Sequence, residues 1–316
     1  MTPARSTVRF QIAALLAFTG LATAQPASET DEKNSQPPEE ITNARESGPS
    51  FAASLSGWYG FETDLDVGPG DLSIARARLD LSMTITPAER TLLTFGIEVE
   101  ESWYDFNNAS GLDASGDPFD NATNVDFFAR YVAPMNDTTN YFVLGSVGFA
   151  AESGADFGES LIYGAGAGFV TRQSSTFSWG LGVLVRTRLE DDALVIPIPQ
   201  ITWNISDRWT LASQRAGLRL EYAANESLTY GIGAQFDSRT FRLDEDGVIP
   251  SGVATDRRIP VAFFVEYAPE PNFTIGGQVG ASLFNNIELF DSAGNDIIDD
   301  DVDPGVFIGI NGRIRF

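Results

Sequence analysis

Glu98 and Glu100 are two carboxylates one residue apart in a stretch whose side chains alternate between apolar and polar. On an extended strand such residues share one face, separated by roughly 6.6 Å along the chain. That separation would suit the acid/base pair of a glycosidase. Nothing in the sequence completes such a site or any other. The 316 residues include no histidine and no cysteine. A serine–histidine or aspartate–histidine constellation therefore cannot be assembled. No phosphate-cradling glycine loop, zinc ligand set or nucleophile elbow occurs either, so an enzyme is not expected.

The two glutamates belong instead to a long series of charges at alternating positions. Arg76, Arg78, Glu98, Glu100, Asp126, Arg130, Arg186, Arg188, Arg219, Glu221, Arg258, Glu266, Arg313 and Arg315 all fall on the polar parity of apolar stretches. Both signs are well represented. Opposed charges can line a water-filled passage and steer ions, or close into a salt-bridged plug. Arginine suits either use, because its fork stays charged and pairs carboxylates bidentately. The only lysine is Lys33.

A second group of carboxylates has no partners nearby in sequence. The segment from Asp291 to Gly305 clusters Asp299, Asp300, Asp301 and Asp303, and a further acidic run holds Asp244, Glu245 and Asp246. Carboxylates beside Asn and Gly are the donors Ca²⁺ or Mg²⁺ takes, although the spacing fits no helix–loop–helix calcium site. The simpler expectation is hydrated loops and no cofactor. Such a rim would repel anions or meet lipopolysaccharide through divalent cations. The formal net charge of −24 disfavours nucleic acid as a partner.

These residues must be held by strands, because the period is two almost throughout. Ala75, Ala77, Leu79, Leu81, Met83 and Ile85 alternate with Arg76, Arg78, Asp80, Ser82 and Thr84; Phe177, Trp179, Leu181, Val183 and Val185 with Ser178, Gly180, Gly182, Leu184 and Arg186. Runs of about ten residues suffice for a tilted strand to cross hydrocarbon. Short turns, such as those after Ala133, Gln173, Ser206, Ala223 and Pro269, interleave with long polar connections at 107–122, 151–157, 244–256 and 288–303. Aromatic residues flank the short turns: Tyr131 and Tyr141, Phe169 and Phe177, Trp203 and Trp209, Tyr267 and Phe273, with Tyr222 before the remaining one. Rings with an apolar body and a polar tip collect at a membrane–water boundary, so these residues read as a girdle.

The ends of the chain fit the same picture. Arg5 and Arg9 precede an uncharged apolar run, Ile12 to Leu21, and the small residues Ala22-Thr23-Ala24, which is the pattern of a cleaved secretory signal peptide over 1–24. Residues 25–50 are rich in Pro, Ser, Glu and Asn and read as a flexible periplasmic tail. The chain closes on "GVFIGINGRIRF", with Ile308, Ile310, Gly312, Ile314 and Phe316 on one row.

With that last strand, residues 51–316 resemble Gram-negative outer-membrane β-barrel proteins of the porin-like kind. The resemblance implies an all-β, transmembrane, antiparallel up-and-down barrel in the outer membrane. It also implies that Ile308, Ile310, Gly312, Ile314 and Phe316 are read by the barrel-assembly machinery, and that lipid and lipopolysaccharide surround the protein. Both ends then lie in the periplasm, so the strand number should be even. The apolar parity switches at Ser213–Ala216, from Trp209 and Leu211 to Leu218, Leu220 and Tyr222. A tight hairpin there gives fourteen strands, the preferred number; a single spanning strand over 194–222 gives twelve. The expected function is a passive channel for small polar solutes. A closed barrel that binds a surface partner is the alternative, and a barrel hydrolase stands a distant third. The oligomeric state stays open.

Overall fold

A computed structural model describes residues 48–66, 68–112, 116–190 and 192–316; the expected signal peptide and residues 25–47 of the expected tail lie outside them. Sixteen strand segments form one sheet. In order they are β1 (Ser50–Asp64), β2 (Asp71–Ala88), β3 (Thr91–Asn107), β4 (Asn121–Pro134), β5 (Thr139–Ala151), β6 (Leu161–Arg172), β7 (Phe177–Arg186) and β8 (Leu194–Asn204). They continue with β9 (Trp209–Gln214), β10 (Gly217–Ala223), β11 (Leu228–Gln235), β12 (Asp237–Arg242), β13 (Val253–Glu270), β14 (Phe273–Phe290), β15 (Asp296–Val302) and β16 (Gly305–Arg315).

Two of these strands are interrupted rather than separate. Ala234↔Val261 and Asp237↔Arg258 continue one register along β13, so β11 and β12 are one strand broken at Phe236. Asn285↔Val302 and Ser282↔Gly305 do the same along β14, with β15 and β16 broken at Asp303–Pro304. Counted so, the barrel has fourteen antiparallel up-and-down strands, closed where β1 meets β16 at Ala52↔Arg315. The parity switch at Ser213–Ala216 is a tight hairpin, since Gln214 pairs with Gly217 across Arg215 and Ala216. The connections expected at 244–256 and 288–303 are shorter than the sequence suggests. Strand β13 begins at Val253, and Glu288 pairs with Asp299 in a β14–β15 hairpin. Alternation persists there beneath the acidic residues, with Ile287, Leu289 and Val302 buried.

The outer surface is a belt of apolar side chains, including Leu55, Leu79, Phe95, Phe127, Leu181, Val195, Ile232, Phe263, Val279 and Ile310, all exposed. Lipid is the solvent such a belt requires, and a closed barrel leaves no unpaired edge strand facing it where the wall is complete. The rings meet in pairs near the short turns: Tyr131 with Tyr141 at 6.1 Å between centroids, Phe177 with Trp203 at 6.4 Å, Trp209 with Tyr222 at 5.0 Å. Phe169 meets Trp179 at 5.5 Å, and Tyr267 and Phe273 stand exposed beside the β13–β14 turn. Ile308, Ile310, Ile314 and Phe316 all face outward. Phe316 exchanges two backbone hydrogen bonds with Phe51, at 2.9 and 2.7 Å.

At the long-loop end the circle closes a second time, on a smaller circumference. Arg242, the last residue of β12, bridges to Ala151 of β5, and the Glu152 N–H donates to the Arg242 carbonyl at 2.7 Å. Leu65, just beyond β1, bridges to Val302. Ser238, Phe241 and Arg242 are all buried, so β12 is covered on both faces and lies inside the wall. Strands β6, β7 and β8 stand outside this second ring. The bend that carries the sheet inward has a local cause. Phe284 adopts φ +51°, and the β13–β14 register shifts between Arg257 and Ile259, a bulge that turns the strand. Asn285 Nδ2 then donates to the Asp303 carbonyl at 2.8 Å, tying the bulge to the break between β15 and β16. The smaller ring encloses an apolar core. Tyr104, Phe106, Phe119 and Phe241 stack within it, together with Leu72, Ile74, Leu243, Val253, Ile287 and Leu289. Burial of each such large side chain contributes about 1.5–3 kcal/mol.

Candidate functional site

The inside of the barrel has two walls of different chemistry. On β2, β3, β10, β13 and the inturned β12 the inward row is charged. Arg78 pairs with Glu98 and, at 2.8 Å, with Asp80. Glu100 receives both Nε and Nη2 of Arg239, which also reaches Asp237 at 2.6 Å. Asp256, almost fully buried, is shared by Arg76, Arg258 at 2.7 Å and the Tyr104 hydroxyl at 3.1 Å. Nearer the short turns, Arg219 pairs with Glu221 at 2.9 Å and Glu266 at 2.8 Å while lying over the Phe264 ring at 3.5 Å. At Arg76, Arg258 and Asp256 the charges are almost fully buried, and each is tolerable only because its partner is in place.

Strands β5 to β8 present the opposite surface. Their inward row is Phe142, Leu144, Leu184, Ile196 and Ile198, interspersed with glycines. The glycines allow the side chains to lie flat. A Cβ on Gly168 or Gly182 would stand 2.5 or 2.6 Å from Phe142 Cζ, so the ring rests directly on the backbone of the two neighbouring strands. Arg130 sits over the other part of that ring at 5.5 Å, and Arg186 pairs with Asp126 at 3.4 Å above it.

Between the walls reaches the β9–β10 hairpin. Its tip residue Arg215 adopts φ +50°, a region a non-glycine residue enters only at a cost of about 1–3 kcal/mol. The guanidinium lies 3.4 Å from Asp80 and 3.9 Å from Glu98, the two carboxylates that Arg78 also holds. Ala216, beside it, packs on the apolar wall.

Of the lumen residues expected from parity, thirteen lie on barrel strands: Arg76, Arg78, Glu98, Glu100, Asp126, Arg130, Arg186, Arg219, Glu221, Arg258, Glu266, Arg313 and Arg315. Arg188 is corrected. Strand β7 ends at Arg186, because the Thr187 hydroxyl takes the Tyr163 N–H at 2.8 Å in place of a ladder carbonyl. Arg188 then turns into the connection, where its Nε donates to the Asp192 carbonyl at 3.1 Å. Arg215, Asp237, Arg239 and Asp256 were not anticipated. Extending the inward odd row of β11 past Phe236 would have found Asp237 and Arg239.

The aspartates proposed for a divalent cation do not form one ligand set. On β15, alternation sends Asp300 inward to full burial and leaves Asp299, Asp301 and Asp303 exposed. Asn286 Nδ2 already donates to Asp299 at 2.8 Å. Among the described residues no group of three or more acidic side chains is arranged to hold a metal ion. At the same rim Glu152 accepts the N–H groups of Asp120 at 3.1 Å and Asp244 at 3.0 Å, clasping two loops to the end of β5. Burial nevertheless pushes its carboxyl above the ordinary range, outweighing those two donors.

The model of a family described as "Domain of unknown function (DUF6268)" matches residues 69–306. No curated protein sequence matches. Among solved structures, the COG4313 outer membrane channel from Pseudomonas putida F1 is similar at 12% identity and a TM-score of 0.47, covering 91% of this chain and all of that one. The TodX monoaromatic hydrocarbon channel deltaS2 mutant has 7% identity, a TM-score of 0.46 and coverage of 86% and 91%. The KdgM porin in complex with disordered oligogalacturonate has 11% identity, a TM-score of 0.35 and coverage of 83% and 99%. At these values the likenesses say nothing about solute or gating.

Proposed function

The chain belongs to the family described as "Domain of unknown function (DUF6268)", which assigns no activity, and we propose from its geometry that it is an outer-membrane diffusion channel for small polar solutes, closed at rest by its own interior. The observation that carries this reading is the sharing of Asp80 and Glu98 between Arg78 and Arg215. Arg78 belongs to the wall; Arg215 reaches over from the tip of a short hairpin. Withdrawal of Arg215 leaves both carboxylates with Arg78, so no bare buried charge results and releasing the hairpin tip costs little; passage through the barrel also requires the aromatic core of the second ring to part.

In this reading the charged wall conducts. The short-turn end opens to the periplasm, the long-loop end faces outward, and lipid and lipopolysaccharide surround the belt. Ile308 to Phe316 serve as the signal for the barrel-assembly machinery, so deletion of Phe316 lowers the amount inserted. We assign no catalytic step and no cofactor: Glu98 and Glu100, the carboxylate pair singled out in the sequence, are each held by an arginine.

Planar-bilayer recording tests the proposal. The wild-type barrel should open rarely, and Arg215→Ala should raise its open probability several-fold. Silence of both over many insertions of folded barrel would remove the channel. It would favour instead a closed barrel that binds a partner at its surface, the reading that the packed aromatic core of the second ring supports.

A further inference from the structure

The wall is incomplete on one side. Strand β8 pairs with β7 along its length, from Arg186↔Leu194 to Phe177↔Trp203, but with β9 only over Thr202↔Ala212, Trp203↔Leu211 and Asn204↔Thr210. The β9–β10 hairpin stops at Gln214–Gly217, and past Phe236 the next strand leaves the wall to join β5. Among the described residues no strand pairs with the edge of β8 from Leu194 to Ile201. That stretch spans about 25 Å along the strand, above the girdle residue Trp203, which places it at hydrocarbon depth.

An open edge in lipid is costly because its N–H groups lack partners. The sequence of β8 lowers that cost by removing two of the N–H groups. The N–H of Ile205 donates to Trp209 and that of Ile201 to Ser213 Oγ at 3.0 Å, whereas that of Asn204 donates to Thr176. Odd-numbered residues therefore point their N–H groups at the missing neighbour. Two of those residues are Pro197 and Pro199, which have no N–H to leave unpaired. The Val195 N–H and the edge carbonyls remain, so the prolines disfavour pairing with a further strand at 197 and 199 without abolishing the cost of the open edge.

Behind it lies the apolar wall. Ile196 and Ile198 of β8, Leu184 of β7, and Phe142 and Leu144 of β5 form its inward surface, closed at present by Ala216 and Leu194. Charged solutes gain nothing from such a surface. The core of the second ring blocks the axial route to it from the long-loop end.

We propose that the gap between β8 and the β9–β10 tip is a lateral port, through which a small uncharged apolar molecule dissolved in the membrane reaches the Leu184–Ile196–Phe142 surface. Arg215 is its latch. Held by Asp80 and Glu98, it draws the hairpin tip inward with Ala216 on the apolar wall; released, it frees the mouth. This goes beyond the polar route proposed above, which runs along the opposite wall.

Photolabelling with 3-trifluoromethyl-3-phenyldiazirine in proteoliposomes tests the port. Illumination expels N₂, and the carbene inserts into a neighbouring C–H or X–H bond, so each adduct marks where the apolar probe stood. Val183 and Val195, exposed to lipid on the same strands, serve as internal controls for folding and dose. The expected result is label on Leu184, Ile196 or Ile198 as well as on the controls. The ratio of inner to outer label should rise several-fold in Arg215→Ala. A Gln200→Cys/Gln214→Cys pair, which continues the β8–β9 register in a chain without native cysteine, should zip the mouth. Oxidised, it should lower inner labelling to background, and reduction should restore it. Inner residues left unlabelled in both wild type and Arg215→Ala, while the controls label normally, would overturn the port. So would inner labelling that the staple leaves unchanged, since the probe would then have entered along the axis. Neither outcome depends on ion conductance.

Discussion

Strands β2 and β3 turn Arg76, Arg78, Asp80, Glu98 and Glu100 into the barrel, whereas β6 and β7 turn in Gly164, Gly166, Gly168, Gly180 and Gly182. The charged side is filled by mutual satisfaction: Arg76, Arg78, Arg219 and Arg239 each bridge two carboxylates, and Asp256 serves three donors. Its order is set by electrostatics, and removal of any member leaves a charge behind. The glycine side is filled by shape. Small residues make the wall thin, and Phe142, Leu144 and Leu184 lie against it. Water-filled space is tolerated beside the first wall, and apolar molecules beside the second. One barrel can thus keep two classes of solute on separate paths.

The largest effect expected from breaking this contrast lies on the charged side. Asp256→Ala strips the shared carboxylate from Arg76, Arg258 and the Tyr104 hydroxyl, and loss of one partner from a buried network costs about 3–5 kcal/mol. Urea unfolding in lipid vesicles, followed by tryptophan fluorescence, should show the midpoint fall accordingly. A change below about 1 kcal/mol would mean that water already serves these arginines, and the wall would be a wet lining instead of a dry lattice.

On the glycine side the penalty is steric and smaller. Gly182→Val places a branched side chain where Phe142 Cζ now rests, with a Cβ 2.6 Å from it. Overpacking of this kind costs about 1–3 kcal/mol. The ring must swing off the wall into the lumen, so the same substitution should narrow the apolar surface and lower inner photolabelling. A neutral effect on both readouts would show that Phe142 is not wall-bound.

Much of this was legible in the sequence, and the omissions have a common cause. Parity alone told which of Arg76, Glu98, Asp126 and Arg219 sit on strands facing the same way, because a strand alternates regardless of tertiary context. The parity switch around Arg215 gave the hairpin, and with it the fourteen strands. What parity could not tell is where a strand stops or bends. Arg188 continues the row by number yet lies past the end of β7. The inward turn of β12 and β13 depends on a bulge at Phe284, a residue that gives no turn signal. Asp256 lay in a stretch that its acidic neighbours made look like loop. Arg215 finds its carboxylates 135 residues away, across the lumen, a pairing no local pattern encodes.

The correction at Arg188 provides a matched pair on the conducting side. Arg78 faces the lumen between two carboxylates, while Arg188 caps a connection through the Asp192 carbonyl. Arg78→Ala should shift the cation-to-anion permeability ratio toward cations by about twofold, equivalent to ~0.4 kcal/mol. Arg188→Ala should leave it unchanged. Reversal potentials across a salt gradient measure both. Equal shifts would place the selectivity filter at the long-loop rim and remove the charged wall from the conduction path.

The smallest effect belongs to the rim, and it tests whether the contrast is confined to the interior. In the loop joining β14 to β15, Asp291 accepts the Asn295 side chain at 2.9 Å and the N–H groups of Asn295 and Ala293, each at 2.9 Å. These donors hold the exposed carboxyl below its ordinary range, the Asn295 side chain foremost. A carboxyl lowered on folding contributes order that is present above its unfolded value and is lost as pH falls through the folded one. Amide shifts of Ala293 and Asn295 in detergent should therefore titrate with a midpoint below that of a free aspartate, and Asp291→Ala should abolish the titration. Conductance and photolabelling should not change across the same pH interval, because the loop touches neither wall. If either readout followed the Asp291 midpoint, the rim would be part of the gate, and the division into two internal walls would no longer account for how the barrel opens.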